Sequence, residues 1–384
     1  MLLLHVLKYR TRGVHMRCCR LISIVGCMAT LLFSAAESRT QQAPQLPEGT
    51  PAPQEGDFVI HDFHFRSGET LPELRMHYMT LGKPAKDANG RTTNAVMILH
   101  GTGGSGQTFL QPIFAGVLFG PGQLLDANRY FIIIPDNLGH GKSSKPSDGM
   151  RAHFPSYEYA DMIAAQHDLL EKGLGVNHLR LILGTSMGCM HSWMWGETYS
   201  DFMDALMPLA CQPVPIAGRN RIWRKMVIDG IRQDPDWKNG DYTTEPRAGL
   251  QITADFLLIA GSVPLQMQKD LGTRDAADEF LENSISRTTA RLDANDMLYA
   301  VNSSRNYDPS PHLEDIKVPV MFVNSADDFI NPPELGIAER EIKRVKKGRF
   351  VLIPASLQTH GHGTHTWAAV WQDYLKELLD SSKN

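Results

Sequence analysis

Gly184-Thr185-Ser186-Met187-Gly188 fits a Gly-x-Ser-x-Gly pattern and stands between the apolar run LRLILG and the helical stretch GCMHSWMWGETY. A serine hydroxyl is a weak nucleophile until a base takes its proton and the backbone presents its oxygen clear of neighbours. A sharp strand-to-helix turn does the presenting, and glycines at −2 and +2 leave no side chains to collide where strand and helix come close. Ser186 is the expected nucleophile. Acyl chemistry at a serine also needs N–H donors aimed at the developing oxyanion. The Met187 N–H is one, at the start of a helix whose dipole favours negative charge. The Thr102 N–H is the expected second, in the Gly-rich loop His100-Gly101-Thr102-Gly103-Gly104 directly after the strand AVMIL. That loop lacks the Lys and Ser/Thr pair of a phosphate-binding loop, and His100 reads as a residue holding it rather than as a base.

The acid is expected after a later strand. VPVMFVNSADDFINPPEL places Asp327 and Asp328 at a strand end, with Asn331 and Pro332 suited to open the next helix. Asp328 is preferred because it stands four residues before Pro332, which leaves Asp327 as a solvated loop acid. A buried carboxylate there fixes a histidine's tautomer and stabilises its imidazolium. The base comes from LQTHGHGTHTW, where His360, His362 and His365 crowd together. Three histidines so close also suggest a metal, but a serine-centred constellation needs one base and no metal. His365 lies at the start of the last helix, whose positive end disfavours an imidazolium. His362 is chosen because Gly361 and Gly363 let its backbone bend tightly. No cofactor is expected.

These groups must be carried by a sheet. The runs DFVIHDFHF, LRMHYMTLG, AVMILHG, YFIIIPD, LRLILG and DALMPLA read as strands, with a helix over about 157–172 among them. Near-continuous apolar runs separated by helices imply a parallel sheet covered on both faces. Over 213–311 the patterns turn helical (RNRIWRKMVIDGIRQ, ADEFLENSISRTTARL, ANDMLYAVNSSR), as expected of a cap over the strand ends. Its Trp223, Trp237, Tyr242 and Met297 are candidates to line a substrate pocket. VPVMFVNS and GRFVLIP resume the sheet, and TWAAVWQDYLKELL closes it with a stripe of Trp367, Val370, Trp371, Tyr374, Leu375 and Leu378. The expected organisation is a core over 57–212 and 312–384 with the cap at 213–311.

The first 36 residues do not belong to that globule. Lys8, Arg10, Arg12, Arg17 and Arg20 precede the apolar run LISIVGCMATLLFSAA, which describes a secretory signal peptide; a retained anchor is the alternative. A Pro/Gln/Gly-rich linker over 37–56 follows. The expected location is secreted or periplasmic. Cleavage near Ala36 removes the five basic residues and takes the formal net charge from −4 to −9. An acidic chain without a basic block is a poor partner for nucleic acid or an anionic membrane. The expected partner is a small-molecule acyl substrate, and a homodimer is compatible with the sequence. With Cys18, Cys19 and Cys27 in the leader, Cys189 and Cys211 are too few to suggest a disulfide framework.

HGTGG, PDNLGHGKSS (Asp136, Gly139, Gly141 and Ser143), GTSMG, DFINP and GHGTH stand in the nucleophile–acid–base order of the α/β-hydrolase superfamily, which the chain resembles. Within it the chain is similar to the homoserine O-acetyltransferase group. The likeness rests on GTSMGCMHSWMWGETYSD, on IRQDPDWKNGDYTTEPRAGL with Asp234, Pro235, Trp237, Gly240 and Tyr242, and on LDANDMLYAVNSSRNYD. It implies a capped α/β-hydrolase fold and acyl transfer through Ser186, Asp328 and His362. Departures accompany it. Thr185 and Cys189 replace glycines of the group's elbow, and NLGHGKSSKPSDG departs from its usual loop after the fourth strand. Ile228 stands where the group's arginine is expected to hold the substrate amino acid's carboxylate, and Arg224, one turn earlier, stands in only partly. An alkyl chain in place of that clamp weakens amino-acid binding. Together with export away from cytosolic acyl-CoA, this favours water as acceptor. The expectation is an exported serine hydrolase cleaving a carboxylic ester or related acyl bond. The alternatives are transfer to homoserine or another alcohol with the same triad, and a catalytically silent binding protein.

Overall fold

Along the central strands apolar residues alternate between two cores, as a sheet covered on both faces requires. The computed structural model describes residues 46–382, so the leader expected at 1–36 and the linker to residue 45 lie outside the described residues. Strands β1 (Gln54–His64), β2 (Thr70–Leu81), β3 (Ala95–Leu99), β4 (Phe131–Pro135), β5 (Leu181–Thr185), β6 (Leu206–Leu209), β7 (Val320–Ser325) and β8 (Gly348–Ile353) form one sheet. Its order is β1-β2-β4-β3-β5-β6-β7-β8. β2 pairs antiparallel with β1 and β4, and every other neighbouring pair is parallel. On β3, Ala95, Met97 and Leu99 enter one core while Val96 and Ile98 enter the other. Phe322 on β7 likewise faces the first core, and Met321 and Val323 the second.

The α-helices, in chain order, are α1 (Ala115–Leu118), α2 (Tyr159–Asp168), α3 (Met187–Thr198), α4 (Gly218–Gln233), α5 (Arg247–Ala260), α6 (Pro264–Asp270), α7 (Arg274–Thr289), α8 (Ala294–Asn302), α9 (Ile337–Glu341) and α10 (Ala368–Ser381). α2 and α3 cover the first face through Met162, Ile163, Trp193 and Trp195. α1 and α10 cover the second through Leu118, Trp371, Leu375 and Leu378. The stripe expected on the last helix therefore faces the sheet, except that Trp367 precedes the helix, is 36% exposed and stacks on His360.

Helices α4 to α8 leave the sheet after β6 and return before β7. Of these, α4, α5 and α8 close on a cluster of their own, with Val227, Ile228 and Ile231 of α4 against Leu250 of α5 and Met297, Leu298 and Val301 of α8. Two sequence expectations need correction. The expected linker already contains strand, because Gln54, Glu55 and Gly56 pair with Thr80, Met79 and Tyr78. The core is also reinforced covalently: Cys189 on α3 and Cys211 beyond β6, 22 residues apart, form a disulfide. The parallel pairing of β5 with β6 brings their Cα atoms to 5.8 Å, within bridging range.

Candidate active site

β5 ends at Thr185, α3 begins at Met187, and Ser186 makes the whole turn between them. Its φ of 54° and ψ of −110° are a conformation that a residue with a side chain adopts only when its surroundings hold it there. The glycines around it show what holds it. A Cβ on Gly184 would lie 2.0 Å from the Gly188 carbonyl oxygen, and one on Gly188 would lie 2.1 Å from the Leu99 carbonyl oxygen. The Ser186 N–H donates to the Leu209 carbonyl at 2.9 Å, which locks the turn to β6.

The loop after β3 passes directly over the serine, because a Cβ on Gly101 would lie 3.1 Å from Ser186 Cβ. His100 holds that loop. Its Nδ1–H donates to the Gly101 carbonyl at 2.9 Å, and its Nε2 accepts the Asn137 N–H at 3.0 Å. Burial pushes His100 down to about 4, so the ring is neutral and serves as a strut. Asp136 ties the loops after β3 and β4 together, accepting the Gly106 N–H on Oδ1 and the Lys142 N–H on Oδ2. Thr102 lines the same cavity as Ser186. Among the described residues neither the Thr102 nor the Met187 N–H has a hydrogen-bond acceptor, so both are free for an oxyanion.

His362 Nε2 lies 2.8 Å from Ser186 Oγ, and its Nδ1 lies 3.1 Å from both oxygens of Asp328. The ring sits in the short 3-10 turn Gly361–Thr366. Gly361 takes φ 54°, and a Cβ there would press on Val263 and on the Asp327 carbonyl oxygen, so this glycine rather than Gly363 makes the bend. Asp328 is 1% exposed. Its Oδ1 accepts the Ile330 and Asn331 N–H groups, and its Oδ2 accepts the Asn331 side-chain amide. Burial acts to raise its pKa, but the charge and hydrogen bond of His362 and the Asn331 bonds outweigh it, so the carboxyl is held below its ordinary value.

The neighbouring residues fall into place differently from expectation. Asp327 is not a solvated loop acid: it is half-buried and accepts the Thr359 hydroxyl at 2.7 Å, tying the acid loop to the histidine loop. His360 stacks on Trp367 at 3.7 Å. His365 meets His362 edge-on at 5.1 Å, and burial pushes it down to about 3. Among the described residues no group of His, Cys, Asp or Glu has the arrangement of a metal site.

Ser186 and His362 open into a cavity of about 1220 Å³, walled by Met190, Phe256, Leu257, Met297, Val301 and Ile330 among others. Three of the aromatic candidates do not line it. Trp237 donates its Nε1–H to Asn295, and the Tyr242 hydroxyl accepts the Asn295 N–H, both inside the cap's own core. Trp223 stands behind the wall, against Phe256 and Phe329. Helical periodicity marks a buried face but does not distinguish a core from a cavity wall.

The cavity also holds a cation. Arg224 is 8% exposed and lines it. Its Nε donates to Asn220 Oδ1 and its Nη1 to Ser304 Oγ, both at 2.9 Å and both neutral partners; no carboxylate pairs with it among the described residues. The Tyr159 hydroxyl lies against Arg224, Thr102 and Ser304. Neither the Tyr159 hydroxyl nor Thr102 Oγ1 has a well-aligned hydrogen-bond partner. Arg221, lowered by burial and by the nearby Arg305 and Arg224, adds to the positive potential. Tyr159 carried no motif that would have singled it out in the sequence, and Ser304 stood within the stretch LDANDMLYAVNSSRNYD with nothing to distinguish it from its neighbours.

A family model for the alpha/beta hydrolase fold matches residues 94–356. The chain is 29% identical over 279 residues to a probable acyltransferase of Methanothermobacter thermautotrophicus, covering 72% of this chain and 84% of that one. It is 30% identical over 278 residues to a homoserine O-acetyltransferase of Haemophilus influenzae, covering 65% of this chain and 75% of the relative. Among solved structures, an acetylester hydrolase from Corynebacterium glutamicum superposes with a TM-score of 0.74 at 20% identity, covering 85% of this chain and 96% of its own.

Proposed function

The chain belongs to the alpha/beta hydrolase fold family, in its homoserine O-acetyltransferase-like group, and from that premise we propose that it transfers acyl groups through an ester on Ser186. The observation that carries the reading is the 2.8 Å approach of His362 Nε2 to Ser186 Oγ, with Asp328 on the opposite ring nitrogen. Ser186 Oγ attacks the carbonyl carbon of an ester or thioester while His362 Nε2 takes the hydroxyl proton. The oxyanion is met by the Thr102 and Met187 N–H groups, and Asp328 stabilises the imidazolium. Collapse breaks the bond to the leaving group, which receives the proton from His362. An acceptor hydroxyl then gives its proton to His362 and attacks the acyl carbon, and Ser186 is released with its proton restored.

The acceptor supported best is a small alcohol that carries a carboxylate, as homoserine does. Burying a guanidinium without an acid is costly, and a carboxylate arriving with the acceptor offsets that cost. Arg224 stands in the cavity in that condition. This departs from the sequence expectation of water. Ile228 does lack a clamp, but it is buried in the cap core, and Arg224 one turn earlier faces the cavity instead. A curated relative named homoserine O-acetyltransferase supports the same acceptor. Hydrolysis is the second reading, favoured by the basic and apolar leader, which would take the chain away from cytosolic acyl-CoA.

The test offers purified protein a panel of acyl esters and acetyl-CoA, with and without homoserine, and analyses the products. O-acyl homoserine supports the transfer reading, and free acid at the same rate with or without homoserine supports hydrolysis. A fluorophosphonate that labels wild type and Ser186→Ala equally would sink both.

A further inference from the structure

Cys189 replaces a glycine in the motif around the nucleophile, and acyl transfer as described gives it no part. It is the third residue of α3, three positions after Ser186, and has no exposed surface. Its disulfide partner Cys211 lies two residues past β6, is 2% exposed and lines the cavity that holds Ser186. The bond therefore joins the helix that presents the nucleophile to the strand end beside it.

The strand end matters because of what it carries. Ala210, next to Cys211, takes φ 63° although it has a side chain. Its carbonyl accepts the Asn331 side-chain amide at 3.0 Å, and the same amide donates to Asp328 Oδ2 at 3.0 Å. Its N–H donates to the Val323 carbonyl on β7, and the preceding Leu209 carbonyl accepts the Ser186 N–H. One short segment thus supports the nucleophile on one side and the acid on the other. Ser186 and Ala210 are two left-handed, non-glycine residues flanking the bond, and such backbones persist only where the surroundings over-determine them. A chain with two extensive cores needs no staple to fold, so the bond's effect falls on this local geometry.

We propose that the Cys189–Cys211 disulfide is a positioning element that holds Ser186 and the Asp328 support in mutual register and makes acyl transfer depend on an oxidising compartment. The inference rests on the acyl-serine reading. A dithiol reductant reaches Cys211 through the cavity. It gives the bond two electrons and two protons, leaving two thiols and becoming a cyclic disulfide itself. The sulfurs then separate, and the segment carrying Ala210 relaxes away from α3.

The experiment uses the full chain exported to an oxidising compartment, with differential alkylation and mass spectrometry to map Cys189 and Cys211, and p-nitrophenyl acetate as the substrate. Reduction with dithiothreitol is expected to lower kcat roughly 10- to 100-fold, the effect of displacing reacting groups by up to an ångström, with KM nearly unchanged. Reoxidation with oxidised glutathione restores kcat. The Cys189→Ala/Cys211→Ala double variant matches the reduced protein and does not respond to dithiothreitol. Circular dichroism finds both forms folded at the assay temperature. The proposal is overturned if both thiols are free in the exported protein, if the reduced protein keeps full kcat, or if it is unfolded, which would make the bond a staple of the whole fold. Should the oxidised protein neither turn over ester nor label at Ser186, the acyl-serine reading fails and takes this inference with it; that outcome is recognised without touching the thiols.

Discussion

Arg224→Met separates the two acceptors. Methionine keeps the unbranched stem that packs in the cap and removes the guanidinium. In the free protein Arg224 donates to Asn220 and Ser304 with the Tyr159 hydroxyl against it, and Ser304 Oγ keeps its own bond to the Val301 carbonyl. The substitution therefore forfeits two hydrogen bonds to neutral acceptors and relieves the burial of an uncompensated charge. These effects oppose each other, so folding stability should hold or rise. Activity should change in the other direction. A charge-assisted hydrogen bond to a carboxylate contributes about 1.5–3 kcal/mol, so kcat/KM for transfer to homoserine should fall about 10- to 150-fold. Hydrolysis of p-nitrophenyl acetate, which has no carboxylate, should change little. The assay runs both reactions on one preparation, with a melting curve alongside. An equal loss in both reactions would refute the carboxylate assignment. A fall in melting temperature beyond about 4 °C, more than 1 kcal/mol at this chain length, would refute the claim that the charge is uncompensated.

Asp328→Asn should leave the acid's shape in place while losing the His362 tautomer, lowering kcat roughly 10³- to 10⁴-fold with KM little altered in steady-state assays. Glu245 offers a pH test. Burial, then the neighbouring Asp293, push it up to about 7 from an ordinary 4.5, so the folded chain keeps a proton that the unfolded chain releases. The stability from that group is full below about pH 4.5 and is lost as pH rises to about 7. Glu245→Gln should raise the melting temperature at pH 8 and not at pH 4.5, and a uniform shift at both would count against it. Gly188→Ala should destabilise by about 3 kcal/mol or more in urea unfolding, because its Cβ would meet the Leu99 backbone rather than a movable side chain.

Much of the site was legible because its signals are local. A strand, a glycine pair and a serine within five residues specify the Ser186 turn, and the Asp-Pro spacing and flanking glycines indicate Asp328 and His362. What the sequence hid depends on where elements land. Cys189 and Cys211 meet only because β5 and β6 are neighbours. Asp327 reads as a surface acid until Thr359 arrives from a loop 32 residues on. Arg224 and Ile228 lie one turn apart on α4, and only the packing of α8 against it decides that the isoleucine enters the cap core and the arginine the cavity.

The strands on either side of the cap have a consequence for how the protein could change. β6 and β7 are parallel sheet neighbours, with Leu206 opposite Val320 and Leu209 opposite Val323, so the chain departs at the carboxyl end of β6 and re-enters at the amino end of β7, two points held by one sheet. Whatever connects those points closes a loop whose ends the sheet already fixes, and each doubling of its length costs only about 0.6 kcal/mol in closure entropy. The segment that shapes the cavity is in effect a replaceable module. An inserted, shortened or wholly exchanged cap would change which molecules enter, while the sheet that carries Ser186, Asp328 and His362 went on holding them in place.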